Sequence, residues 1–66
     1  MQIKLNGETK DVADGTTLLS LVEQLSLAPE RLAVELNQEV IRRAEWPDVK
    51  LSDGDRVEIV HFVGGG

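Results

Sequence analysis

The sequence contains no cysteine, which excludes disulfide bonds, cysteine-based zinc sites and a thiolate nucleophile. It has one histidine, His61, so a metal site built from several histidines is also excluded. The only aromatic residues are Trp46 and Phe62. A chain of 66 residues buries only about 60% of its unfolded surface. Since it has two aromatic residues and no cysteine, its core must come from aliphatic side chains. The hydrophobic content of 41% makes such a core possible in a single small domain.

Basic residues are also scarce, with seven Lys and Arg against twelve Asp and Glu and a net charge of −5. Nucleic-acid binding depends mainly on basic contacts to phosphate, so the charge argues against a nucleic-acid partner. An acidic surface suits docking to a basic partner protein. It also keeps a small protein soluble, and the charge alone does not choose between these two interpretations.

Long apolar runs are absent, since the longest is Leu32-Ala33-Val34, far shorter than a membrane span. Residues 1–5 alternate apolar and polar side chains instead of forming the apolar segment of a signal peptide. We therefore expect a cytoplasmic protein that has no membrane partner.

The first twelve residues predict a β-hairpin. Met1, Ile3 and Leu5 alternate with polar residues, as in a strand with one buried face. Asn6-Gly7 favours a type I′ turn, whose two central residues need positive φ, and residues 8–12 would form the returning strand. Further strands are predicted at 32–36, 40–41 and from 56 to about 62, with a turn at Asn37-Gln38.

One helix is predicted after the hairpin. Thr16 or Thr17 can cap its amino end. An apolar stripe at helical spacing follows, formed by Leu18, Leu21, Val22 and Leu25. The helix should stop before Pro29. Residues 44–48 are predicted to be irregular or to form a single helical turn, with Trp46 anchoring the short fourth strand.

This order of elements predicts an α+β fold, with one main helix on one face of a mixed sheet of about five short strands. If the last strand pairs beside the first, the sheet closes through its middle, which is the β-grasp arrangement of ubiquitin-like proteins. We predict a β-grasp domain over residues 1–63 and a flexible glycine tail over residues 64–66.

The last strand leads directly into this tail, Gly64-Gly65-Gly66. Three residues without a Cβ form a thin, freely bending tether that reaches roughly 10 Å when extended. Such a tether can carry the terminal carboxylate of Gly66 into the active site of another protein. A frayed terminus is the alternative interpretation.

Val60 and Phe62, just before the tail, are candidate docking residues. Val57 and Ile59 should face the core because side chains alternate along a strand. If Val60 and Phe62 lie on the opposite face, they form an exposed apolar patch that a partner can cover. The alternative is that a twist or bulge buries them.

Three stretches of the sequence carry a resemblance to a known family. They are the hairpin at 1–7, residues 35–46 with Asn37, Val40, Ile41, Arg43 and Trp46, and Asp53-Gly54-Asp55 followed by the last strand and the glycines. Over its whole length the chain resembles the ThiS family, the ubiquitin-like sulfur carrier proteins of thiazole (thiamin) biosynthesis.

The resemblance implies a specific chemistry at Gly66. An E1-like (ThiF-like) adenylyltransferase would use ATP and Mg²⁺ to adenylate the Gly66 carboxylate. A sulfur donor, such as the persulfide of a cysteine desulfurase, would then convert it to a thiocarboxylate. Thiazole synthase (ThiG-like) would receive that sulfur. In this interpretation Gly64, Gly65 and Gly66 enter the partners' active sites, and the chain is a protein co-substrate that binds no cofactor and is not an enzyme.

Three alternatives remain open from the sequence. The small subunit of molybdopterin synthase has a similar fold and tail but delivers sulfur to a pterin. A ubiquitin-like modifier would be joined to lysines of other proteins. A plain binding module would function without its terminal glycines.

Overall fold

The computed structural model describes residues 1–62, so the predicted domain boundary at 63 and the glycine tail lie outside the described residues. The strands are β1 (Gln2–Leu5), β2 (Glu8–Asp11), β3 (Leu32–Leu36), β4 (Glu39–Ile41) and β5 (Arg56–His61), and the helix is α1 (Leu18–Gln24). Short 3₁₀-helices span Pro29–Arg31 and Arg43–Asp48.

The five strands form one mixed sheet in the order β2-β1-β5-β3-β4. β1 pairs with β5 in parallel, whereas the β1–β2, β3–β5 and β3–β4 pairs are antiparallel. The last strand therefore lies in the middle of the sheet beside the first. The predicted α+β fold, a β-grasp with five short strands and one main helix, is confirmed.

The turn at Asn6-Gly7 shapes the hairpin and also holds β5. Asn6 and Gly7 have φ values of 50° and 85°, as a type I′ turn requires. The Asn6 side chain then continues the pairing beyond the end of β1. Its Oδ1 accepts a hydrogen bond from the Ile59 backbone N–H at 2.7 Å, and its Nδ2 donates to the Ile59 carbonyl at 3.3 Å. One amide thus satisfies both backbone groups of Ile59.

Helix α1 begins where the sequence predicts and ends earlier than its apolar stripe suggests. Thr17 is the N-cap, and its Oγ1 accepts a hydrogen bond from the Ser20 N–H at 3.1 Å. The helix ends at Gln24, and Ser26 has a φ of 58°. Because a left-handed backbone cannot continue a right-handed helix, Ser26 ends it before Pro29 is reached.

The core lies between α1 and the inner face of the sheet. Its buried hydrophobic residues are Ile3, Val12, Leu18, Leu21, Val22, Leu32, Val34, Trp46, Leu51 and Val57. Trp46 is 1% exposed, and its indole N–H donates to the carbonyl of Ile41 at 2.9 Å. Since Ile41 ends β4, the predicted anchoring of the fourth strand by Trp46 is confirmed.

The turn between β3 and β4 holds a residue in a costly conformation. Asn37 and Gln38 have φ values of 51° and 73°. The conformational cost at Asn37 is compensated by two hydrogen bonds of its side chain. The side chain accepts from the Arg56 backbone N–H at 2.9 Å and donates to Asp55 Oδ1 at 3.1 Å. Gln38 is an exposed residue for which the left-handed region is unfavourable.

We expect Gln38→Gly to stabilise the fold by about 1 kcal/mol, because glycine adopts positive φ without steric cost. For a domain of this size that corresponds to a rise in melting temperature of roughly 4–8 °C. Thermal unfolding followed by circular dichroism measures it. Asn37→Gly is the matched comparison, since it relieves the same strain but removes two hydrogen bonds, and it should not stabilise the protein. A Gln38→Gly protein that melts no higher than wild type contradicts the prediction.

Candidate functional site

Strand β5 carries the chain to the glycine tail. It pairs with β1 through Arg56 and Val57 and with β3 as far as His61. The Phe62 N–H then donates to the carbonyl of Arg31 at 3.0 Å. The backbone is therefore held by the sheet up to Phe62, immediately before Val63. The candidate tail residues Gly64, Gly65 and Gly66 lie outside the described residues, and their role remains a prediction.

The two faces of β5 differ as the alternation predicts. Val57 is buried and Ile59 is half-buried on the core side. Val60 is 57% exposed and Phe62 is 48% exposed. The structure thus decides between the two alternatives that the sequence left open: both side chains are accessible, and neither a twist nor a bulge buries them. Their role in docking stays a prediction.

The pairing register shows what surrounds Val60 on the outer face of the sheet, away from α1. Ala33 of β3 lies opposite Val60, and Glu35 lies opposite Glu58. Val40 of β4 lies opposite Glu35 and is 72% exposed. We call the surface formed by Ala33, Glu35, Val40, Glu58 and Val60 the outer face. Sequence reasoning identified Val60 but missed the other four residues, because alternation does not reveal which strands pair.

The outer face carries two carboxylates, Glu35 and Glu58, that form no ion pair within residues 1–62. In that range the only ion pair joins the N-terminal ammonium and Asp14 at 3.7 Å. Lys4, on the neighbouring strand β1, donates a hydrogen bond from Nζ to Thr9 Oγ1 at 2.8 Å. Like charges directly opposite one another on paired strands are destabilising. Glu35 and Glu58 oppose one another in this way, and the positive charges of Arg56 and Lys4 lie beside Glu58 on the same face.

The described residues offer little for other kinds of site. Across positions 1–62 no three His, Cys, Asp or Glu side chains are grouped so that they could hold a metal ion. In the same range no helix has the length and apolar content needed to cross a membrane. This region presents the outer face, together with the strand β5 that precedes residues 63–66.

The comparisons with known proteins agree on one family over almost the full length of the chain. The ThiS family model matches residues 3–66. The sulfur carrier protein ThiS of Bacillus subtilis is 40% identical over 65 residues, covering 97% of this chain and 98% of that protein. The crystal structure of the thiamine biosynthesis protein (ThiS) from Geobacter metallireducens superimposes with a TM-score of 0.86 at 36% identity, covering all of both chains.

A longer relative also contains a segment similar to this chain. The thiazole synthase of Magnetococcus marinus is 47% identical over 66 residues, which is all of this chain but 20% of that protein. The chain thus spans about a fifth of this relative's length. The match of the family model from residue 3 to residue 66, with full-length similarity to ThiS proteins in both sequence and fold, means that the chain belongs to the ThiS family.

Proposed function

We propose that this protein is a sulfur carrier for thiazole formation in thiamin biosynthesis, and that Gly66 carries the sulfur as a thiocarboxylate. The observation that supports this most is the family match, which extends to residue 66 and therefore includes the terminal glycines. The fold agrees with it, because the backbone is hydrogen-bonded as far as Phe62, two residues before the glycines begin. The body positions the tail, and the partners supply the catalysis.

The chemistry requires activation, because a carboxylate is anionic and lacks a good leaving group. Transfer of AMP from ATP to the Gly66 carboxylate releases pyrophosphate and creates an acyl-adenylate. A persulfide sulfur attacks the acyl carbon and expels AMP, which leaves an acyl disulfide. A thiol then cleaves the S–S bond, so that the terminal sulfur stays on Gly66 as the thiocarboxylate and the donor sulfur leaves in a new disulfide.

Three partners follow from this sequence of steps. An E1-like (ThiF-like) adenylyltransferase provides the ATP and Mg²⁺ site, and a cysteine desulfurase persulfide provides the sulfur. Thiazole synthase (ThiG-like) accepts it. The similarity to a segment of the Magnetococcus marinus thiazole synthase supports this last partner, since carrier-like and synthase sequences occur there in one chain.

Mass spectrometry of the terminal peptide tests the proposal. The protein is isolated from cells that lack thiazole synthase, so that any sulfur-loaded carrier accumulates. Trypsin cleaves after Arg56 and releases residues 57–66, which contain no methionine or tryptophan whose oxidation would resemble replacement of oxygen by sulfur. We expect the mass of the thiocarboxylate, and an unmodified peptide from cells that also lack the adenylyltransferase.

Two results would argue against the proposal. An unmodified peptide 57–66 from sulfur-replete cells that retain the adenylyltransferase would show that Gly66 does not carry sulfur. Gly66 joined to lysines of other proteins, with no thiocarboxylate, would instead indicate a ubiquitin-like modifier.

A further inference from the structure

We propose that Asn6 is a positioning residue for the reactions at Gly66. Its side-chain amide holds the last part of β5 on the side where β1 has already ended, and so fixes the direction in which the chain leaves Phe62 toward the glycines. This inference rests on the proposed function and adds to it a residue, distant in sequence, that prepares the tail. The role is the same for every enzyme that takes Gly66, because each receives the same chain end.

The backbone of β5 bonds alternately to the strands on its two sides. The Phe62 N–H donates to the Arg31 carbonyl at 3.0 Å on the β3 side. The Val57 carbonyl accepts from the Asn6 backbone N–H at 2.9 Å on the β1 side. Because the backbone groups of alternate residues in a strand point toward the same neighbour, the N–H and carbonyl of Ile59 also face the β1 side.

Strand β1 ends before it reaches Ile59. Within residues 1–62 it pairs with β5 only at Arg56 and Val57, and the chain then turns into the hairpin at Asn6-Gly7. The Asn6 side chain fills the gap, since its Oδ1 accepts from the Ile59 N–H at 2.7 Å and its Nδ2 donates to the Ile59 carbonyl at 3.3 Å. A side-chain amide offers the same donor and acceptor as a peptide unit, so Asn6 acts as one further residue of β1.

Loss of this amide should change the direction of the chain end. Beyond Val57, β5 would be held from the β3 side alone, and a strand paired on one side twists more strongly than one paired on both. Residues 63–66 span at most about 14 Å when extended. A change of angle at Phe62 therefore displaces the Gly66 carboxylate in proportion to that reach.

Asn37 provides a matched control at the opposite end of β5. Asn6 and Asn37 have φ values of 50° and 51°, and both side chains are exposed. The Asn37 side chain accepts from the Arg56 N–H at 2.9 Å and donates to Asp55 Oδ1 at 3.1 Å. Glycine at either position keeps a backbone that accepts positive φ and removes two hydrogen bonds. Of the two asparagines, Asn6 is the one that bonds to the end of β5 nearer the tail.

The experiment measures ATP–pyrophosphate exchange by the adenylyltransferase at varied concentrations of the full-length carrier. We expect Asn6→Gly to lower kcat roughly fivefold with KM unchanged, because a docked carrier then places its carboxylate correctly less often. Asn37→Gly should behave like wild type. Asn6→Asp keeps an oxygen that can accept from the Ile59 N–H, and it should recover part of the lost kcat.

Amide hydrogen exchange measured by NMR tests the same role without any enzyme. We expect the Ile59 and Phe62 N–H groups to exchange roughly tenfold faster in Asn6→Gly than in Asn37→Gly. The N–H of Val22, a buried residue of α1, should exchange alike in both variants, since neither substitution touches the core.

Three results would overturn the proposal. They are wild-type kcat in Asn6→Gly, an equal loss of kcat in Asn6→Gly and Asn37→Gly, and a Phe62 N–H that exchanges in Asn6→Gly as it does in wild type. Each leaves the proposed function standing, because sulfur loading of wild-type Gly66 is measured separately by mass. A wild-type chain that supports no pyrophosphate exchange would contradict both the proposed function and the role of Asn6.

Discussion

A chain that lacks Gly66 is expected to lose adenylation completely while it melts at the same temperature as the full-length protein. Removal of one residue draws the carboxylate back by about 3.5 Å, a displacement that in-line attack on a phosphate does not tolerate. The fold should be unaffected, because the ten buried core residues found within residues 1–62 lie between Ile3 and Val57.

ATP–pyrophosphate exchange catalysed by the adenylyltransferase measures this effect. An alanine added after Gly66 is the matched variant, since it keeps the native glycines but moves the carboxylate outward, and it should also abolish exchange. Circular dichroism and thermal unfolding of both proteins serve as controls for folding. Undiminished exchange with the shortened chain would refute the assignment of Gly66 as the reacting residue.

Trp46→Ala is expected to unfold most of the protein at 37 °C. Truncation of a buried tryptophan costs about 3–5 kcal/mol. A single core in a domain this small rarely supplies more than about 3–5 kcal/mol of net stability. Trp46 is 1% exposed and also bonds to the carbonyl of Ile41, so its loss leaves both a cavity and an unpaired carbonyl.

Urea unfolding followed by circular dichroism measures the loss of stability. Trp46→Phe is the informative comparison, because it retains much of the ring but cannot donate to Ile41. It should lose about 1–3 kcal/mol and remain folded at 25 °C. If Trp46→Ala unfolds at the same urea concentration as wild type, Trp46 is not an essential core residue.

These two variants separate a position that stabilises the fold from the position proposed to carry the chemistry. Loss of Trp46 should unfold the protein and therefore remove every activity. Loss of Gly66 should leave the body intact and remove only the activity. This separation is what a protein co-substrate requires, because its reacting group acts in the active sites of other proteins.

Several features of the fold could be read directly from short stretches of sequence. Asn6-Gly7 predicted the type I′ hairpin, since few residues accept positive φ at both positions. Thr16 and Thr17 predicted the helix start, because a hydroxyl before an apolar stripe can accept a hydrogen bond from a free backbone N–H, and the structure shows that Thr17 is the cap. Ser26 gave no such signal, because serine seldom adopts the left-handed region that ends α1.

By itself the sequence determined the hairpin, the helix start, the core-facing residues of β5 and the glycines on which the proposed chemistry depends. Each of these depends on residues close together in the chain, where backbone sterics and side-chain period act directly. Only the tertiary structure decided that Glu35 lies opposite Glu58 and that Val40 joins their face. The register between strands that are distant in sequence is set by how the whole sheet packs against α1 and Trp46. The alternation of side chains within one strand does not predict that register.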